Sequence, residues 1–79
     1  MTLVDLRPGQ EAVLSAIELP ERAAARLMEL GFLPGSRVTA AWSAPGGDPR
    51  VYRVDGAEIA LRREMARHLH VEDGAEERP

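Results

Sequence analysis

Apolar positions along these 79 residues fall into two rhythms. Between Glu21 and Leu30 they recur at helical spacing, with Ala23, Ala24, Leu27, Met28 and, one step beyond, Gly31 forming a single stripe. Arg22, Arg26 and Glu29 fall on the opposite face, where Arg26 and Glu29 are spaced to pair at i, i+3. Pro20 suits the first helical position, where its missing N–H costs nothing. No Ser, Thr, Asp or Asn precedes the run, so the helix is expected to depend on packing more than on its own ends. Gly31 stands where a helix needs a left-handed residue after its last turn, a region only glycine enters without a Cβ penalty. Pro34-Gly35 then supplies a further turn. Phe32 and Leu33, caught between these breakers, are expected to lock the helix onto a sheet.

The rest of the chain carries the shorter rhythm of strands. Gln10 to Glu18 reads as a strand with Val13, Leu14 and Ile17 as apolar contributors, although Ala12 and Ala16 blur which face is buried. It follows a short apolar lead, Leu3-Val4-Asp5-Leu6, closed by Arg7-Pro8-Gly9. Pro34-Gly35 repeats that ending ahead of a second strand, Ser36 to Ala44, so one turn device is used twice. Two prolines around paired glycines make Pro45 to Pro49 a loop. Arg50 to Val54 and Ala57 to Leu61 both alternate, and Asp55-Gly56 between them is the pairing most favoured in a two-residue type I′ hairpin. That register sets Val54 opposite Ala57 and Tyr52 opposite Ile59, with Arg53 and Glu58 on the solvent side. Arg62 to Arg67 allows at most two helical turns, and Leu69-His70-Val71 reads as a closing strand. The expected fold is mainly β with a helical insertion: a small barrel of about five strands, one main helix and a short helical turn. Residues 1–73 form the domain and residues 74–79 an acidic flexible tail.

Composition narrows the chemistry. A hydrophobic share of 44% and a charged share of 29% describe an ordinary globular chain. A net charge of −3 argues against a dedicated nucleic-acid binder, which normally shows a basic face. The absence of cysteine excludes disulfides, thiolate metal sites and cysteine nucleophiles. No apolar run approaches the ~20 residues of a spanning helix, and the N-terminus lacks signal-peptide character, so a cytoplasmic location is expected. Ser15, Ser36 and Ser43 have no histidine close in sequence and no phosphate-binding loop fits, so an enzyme reading finds no support.

Several segments in order resemble the ferrous iron transport protein A family, FeoA. They are Leu6-Arg7-Pro8-Gly9-Gln10, then Arg26-Leu27-Met28-Glu29-Leu30-Gly31-Phe32-Leu33-Pro34-Gly35, and Ala44-Pro45-Gly46-Gly47-Asp48-Pro49. Ile59-Ala60-Leu61-Arg62 and Glu64-Met65-Ala66 leading into Leu69-His70-Val71 complete the match. The resemblance implies an SH3-like β-barrel with a helical insertion. It also implies a cytoplasmic accessory to the membrane ferrous-iron permease FeoB, reaching the membrane only through that permease and requiring no cofactor. The same fold occurs as the C-terminal domain of iron-dependent repressors, which implies a regulatory domain as a further alternative. The chain's oligomeric state is not legible at this level.

Three groups of residues are candidates for function. His68 and His70, an H-x-H pair, would point to one side if both lie on a strand, and Glu72 continues that side. Together they offer a possible weak site for Fe(II) or another transition metal, and hence a carrier reading. The plainer reading, that they only terminate the barrel, is preferred because spacing fixes no further ligand. Arg50, Arg53, Arg62, Arg63 and Arg67 form a cationic cluster that meets an acidic partner or phosphate, or is simply a solvated face. Trp42, Asp48, Tyr52 and Arg53 flank the Pro45–Pro49 loop and are the candidate partner-binding set, by analogy with SH3-like folds. Trp42 taken alone is expected in the core, because a domain this short needs its large aromatics. Gly31, Pro34, Gly35, Asp55 and Gly56 are expected to be structural.

Overall fold

Helix α1, Glu21–Glu29, ends as its sequence requires. Leu30 is the last residue in helical conformation, and Gly31 follows with φ of 113°. The Gly31 N–H donates to the Met28 carbonyl at 3.0 Å and the Phe32 N–H to the Leu27 carbonyl at 3.1 Å. These two bonds are the Schellman arrangement, and its usual apolar contact is present, since Leu27 and Phe32 are both buried. Pro20 caps the helix, one position earlier than expected. Phe32 enters the core, but Leu33 stays 47% exposed, so the chain reversal locks one of the two residues inward and turns the other out.

The computed structural model describes residues 1–73, so the tail expected at 74–79 lies outside the described residues. Five strands form one antiparallel sheet in the order β4-β3-β2-β1-β5. They are β1 Glu11–Ile17, β2 Arg37–Ser43, β3 Arg50–Val54, β4 Ala57–Leu61 and β5 Leu69–Asp73. Helix α2, Arg63–Ala66, bridges β4 to β5. The β3–β4 hairpin has the expected register, Val54 with Ala57, Arg53 with Glu58 and Tyr52 with Ile59. Its turn residues Asp55 and Gly56 have φ of 52° and 81°, as type I′ demands.

The first two strands share a construction that explains the blurred alternation of β1. The Gly9 N–H donates to Ala40 O at 2.6 Å and the Ala40 N–H to Gln10 O at 3.0 Å. The Gly35 N–H donates to Leu14 O at 2.7 Å, and the Leu14 N–H to Ser36 O at 2.9 Å. Each Pro-Gly turn therefore grips the neighbouring strand at one residue, Ala40 or Leu14. Immediately beyond each gripped residue the register slips by one, between Leu14 and Ala16 in β1 and between Ala40 and Trp42 in β2. These bulges bend the two strands and so curl the sheet. In β1 they also let Ala12, Leu14 and Ile17 pack inward although their spacing is not even throughout.

The N-terminal lead closes the open side. Leu3–Asp5 forms a 3-10 turn, and Leu3 and Leu6 are completely buried. Two β3 side chains hold it there. Arg50 Nη1 donates to the carbonyls of Val4 (3.0 Å) and Leu6 (2.9 Å), and the Tyr52 hydroxyl donates to Leu3 O at 3.2 Å.

Candidate docking surface

Trp42 is the chain's one tryptophan, and its expected place in the core is overturned. It is 56% exposed. Val38 and Ala40 face inward on β2, and regular alternation would put Trp42 with them. The bulge at Ala41 inserts one residue, which flips the side chains that follow to the other face. Trp42 then lines a shallow cleft with Pro8, Ala40, Ser43, Arg50 and Val51. Pro8 is placed there by the Gly9 to Ala40 hydrogen bond of its own turn.

The other expected partner-binding residues separate. Tyr52 is fully buried, so it contributes no docking surface; burial also pushes its phenol pKa up, keeping the hydroxyl a donor to Leu3. Asp48 is exposed, but its Oδ1 accepts the Arg63 N–H at 2.9 Å and thereby caps α2. Arg53 is exposed and paired across the hairpin with Glu58 at 3.0 Å. Arg50 leaves the cationic cluster, since its guanidinium is spent on the N-terminal lead. Arg62, Arg63 and Arg67 remain exposed around α2. Arg26 and Glu29 form no ion pair among the described residues, whereas Arg37 pairs with Glu11, Arg53 with Glu58 and His70 with Glu18.

The histidines divide as well. His68 lies in the turn after α2, where its N–H bonds to Met65 O, and only His70 and Glu72 are on β5. His70 Nε2 instead meets Glu18 Oε1 at 2.6 Å. That hydrogen bond, then the charge of His70 and more weakly that of His68, holds the Glu18 carboxyl below its usual range. Among the described residues no three His, Asp or Glu converge as a metal site, so His68, His70 and Glu72 are not brought together as a ligand set.

Two contributors escaped the sequence reading. Glu18 lies 52 positions from His70, and no spacing rule joins them. Pro8 was legible in principle, because Pro8-Gly9 and Pro34-Gly35 precede their strands identically and each turn was bound to lean on the neighbouring strand.

A sheet of five short antiparallel strands, curled by two bulges and carrying one helix between β1 and β2, defines a small SH3-like domain. The FeoA domain family matches residues 1–73, and the chain belongs to that family. It is 36% identical over 72 residues to an Fe(2+) transport protein A/Fe(2+) transporter FeoB fusion protein of Porphyromonas gingivalis, covering 91% of this chain and 8% of that one. The crystal structure of Stenotrophomonas maltophilia FeoA complexed with zinc, described as an SH3 domain protein possibly acting as a ferrous iron transport activating factor, is also similar. It superposes with a TM-score of 0.78 at 36% identity, over 91% of this chain and 89% of that one. The iron(II) transport protein A of Clostridium thermocellum gives a TM-score of 0.89 at 32% identity, over 95% of this chain and 46% of that one. The chain thus spans less than half the length of the first and last of these relatives. No helix among the described residues is long and apolar enough to cross a membrane.

Proposed function

We propose that this protein is an accessory module of ferrous iron uptake that docks on the cytoplasmic part of the permease FeoB and changes its assembly or activity. The observation that carries the reading is the fusion relative, in which a domain of this family shares one chain with the transporter. Evolution fuses domains that already work side by side, and fusion raises their effective concentration without new contacts. On this reading the protein is cytoplasmic and performs no catalysis. The docking surface is the cleft of Trp42 and Pro8. An exposed Trp beside a rigid proline, on a strand bent to present it, is the kind of anchor that dominates interfaces.

Among the described residues His70 and Glu18 satisfy each other and no third donor joins them, which does not favour a resident metal there. On this reading Fe(II) is the permease's cargo, and His68 and His70 carry no iron. Calorimetric titration of the permease's cytoplasmic domain tests the proposal. Trp42→Ala is expected to weaken binding about tenfold or more while leaving the melting temperature unchanged, since an exposed side chain contributes little to the core. Absence of binding by the wild-type protein refutes the partner, and undiminished binding by Trp42→Ala refutes the surface.

A further inference from the structure

We infer that β4 is a self-pairing edge, through which two copies of this chain join their sheets antiparallel about Ile59. The inference does not rest on the docking proposal and concerns the outer edge of the sheet, one strand beyond the cleft-lining Val51. The sheet has two outer strands, β4 and β5. The β5 edge is covered, because Thr2 bridges to His70 and the Met1 carbonyl accepts the Val71 N–H at 2.8 Å. Among the described residues β4 pairs with β3 and with nothing on its other side.

The two-residue turn fixes which β4 groups are free. It makes Val54 and Ala57 a hydrogen-bonded pair, and bonding then alternates, so Ile59 and Leu61 also bond inward. The N–H and C=O groups of Glu58 and Ala60 consequently point outward. A two-fold axis at Ile59 sets Glu58 against Ala60 of the second copy, and Ala60 against its Glu58. Both become hydrogen-bonded pairs, giving four bonds. Ile59 meets Ile59 of the second copy at the close, non-bonded position, where β-branched pairs pack well.

Composition agrees with this register. Protein edges are normally guarded by Pro, Lys, a bulge or an inward-pointing charge. Strand β4 contains none of them. Its one charge, Glu58, is tied to Arg53 across the hairpin and would face an alanine, so no like charges stand directly opposite. Ala57 and Ala60 are exposed and small, leaving room for a second strand to approach. Two five-residue edges bury less than the ~1,200 Å² of a standard stable interface, so the dimer is weak and reversible.

Amide hydrogen exchange of the folded protein, compared between micromolar and millimolar concentration, tests this. Exchange at Glu58 and Ala60 is expected to slow about fivefold or more at the higher concentration, while Ala57, Ile59 and Leu61 stay unchanged. Ala60→Asp places a carboxylate against Glu58 of the second copy and is expected to abolish the slowing at Glu58. Adding Glu58→Lys to that variant sets opposite charges in register and is expected to restore concentration-dependent dimers by sedimentation, with melting curves confirming that both variants fold. The inference is overturned if neither outward amide responds to concentration, or if Ala60→Asp dimerises as the wild type does. Slowing that appears only when the permease's cytoplasmic domain is added likewise overturns it, since the edge then takes a foreign strand.

Discussion

Replacing Gly31 by alanine isolates the cost of one backbone angle. At φ of 113° Gly31 lies well outside what L residues adopt readily. Space is not the obstacle: a Cβ built there meets Asp55 Cβ at 3.5 Å and Val54 Cγ1 at 3.8 Å, both ordinary contacts. The penalty is therefore conformational, about 1–3 kcal/mol, offset by roughly 0.4–1 kcal/mol from the stiffer unfolded chain. A net loss of about 1–2 kcal/mol is a large share of the roughly 4–12 kcal/mol expected for a domain of this length. It corresponds to a melting temperature lower by roughly 5–15 °C. Gly31→Val adds branched carbons beside Val54 and is expected to lose more. D-alanine, introduced by chemical synthesis, finds positive φ favourable and is expected to raise the melting temperature. Calorimetric melting of the three proteins beside the wild type decides the matter. L-Alanine that melts with the wild type, or D-alanine that costs as much as L-alanine, refutes the argument.

Other expectations follow from single contacts. Asp48→Lys removes the α2 cap and reverses a charge in the Pro45–Pro49 loop, so it is expected to cost about 0.5–2 kcal/mol and to weaken permease binding more than Glu58→Lys does; equal binding by the two variants moves the docking surface toward Arg62, Arg63 and Arg67. Tyr52→Phe loses the bond to Leu3 O, but that carbonyl keeps the Leu6 N–H, so the loss by thermal melting is expected near the low end of about 0.5–1.5 kcal/mol. Glu18 has a depressed pKa, so its stabilising contribution is full above the usual carboxylate range and disappears as pH falls through the lowered value. The melting difference between the wild type and Glu18→Gln is accordingly expected to shrink to nothing in acid, and a difference that grows there contradicts the pairing with His70. A His68→Ala, His70→Ala double variant is expected to support iron uptake normally in a complementation assay, and loss of uptake with the fold intact restores the carrier reading.

Legibility in the sequence followed the range of the determining interaction. Asp55-Gly56 and Gly31 declare themselves because the backbone angles they permit are set by the residue itself. The family resemblance rests on such local markers in order, and it led to the right fold. Trp42 was misplaced because the bulge at Ala41 has no local signature; it is imposed by the Pro8-Gly9 turn gripping Ala40 from about 30 positions away in sequence. Leu3 and Leu6 read only as part of a short apolar lead, since nothing in their own neighbourhood reveals that Arg50 and Tyr52 hold it. The contact between Glu18 and His70 was invisible for the same reason.

The outward turn of Trp42 also gives the molecule a built-in optical reporter. A chain with one tryptophan emits from one place, and here that indole is more than half exposed at the proposed contact rather than buried in the core. Folding alone should leave its emission close to that of the denatured chain. Covering the cleft should shift it to shorter wavelength and shield it from a soluble quencher. The usual reading of tryptophan fluorescence is thereby inverted: in this protein it is blind to most of the folding transition and sensitive to the arrival of a partner.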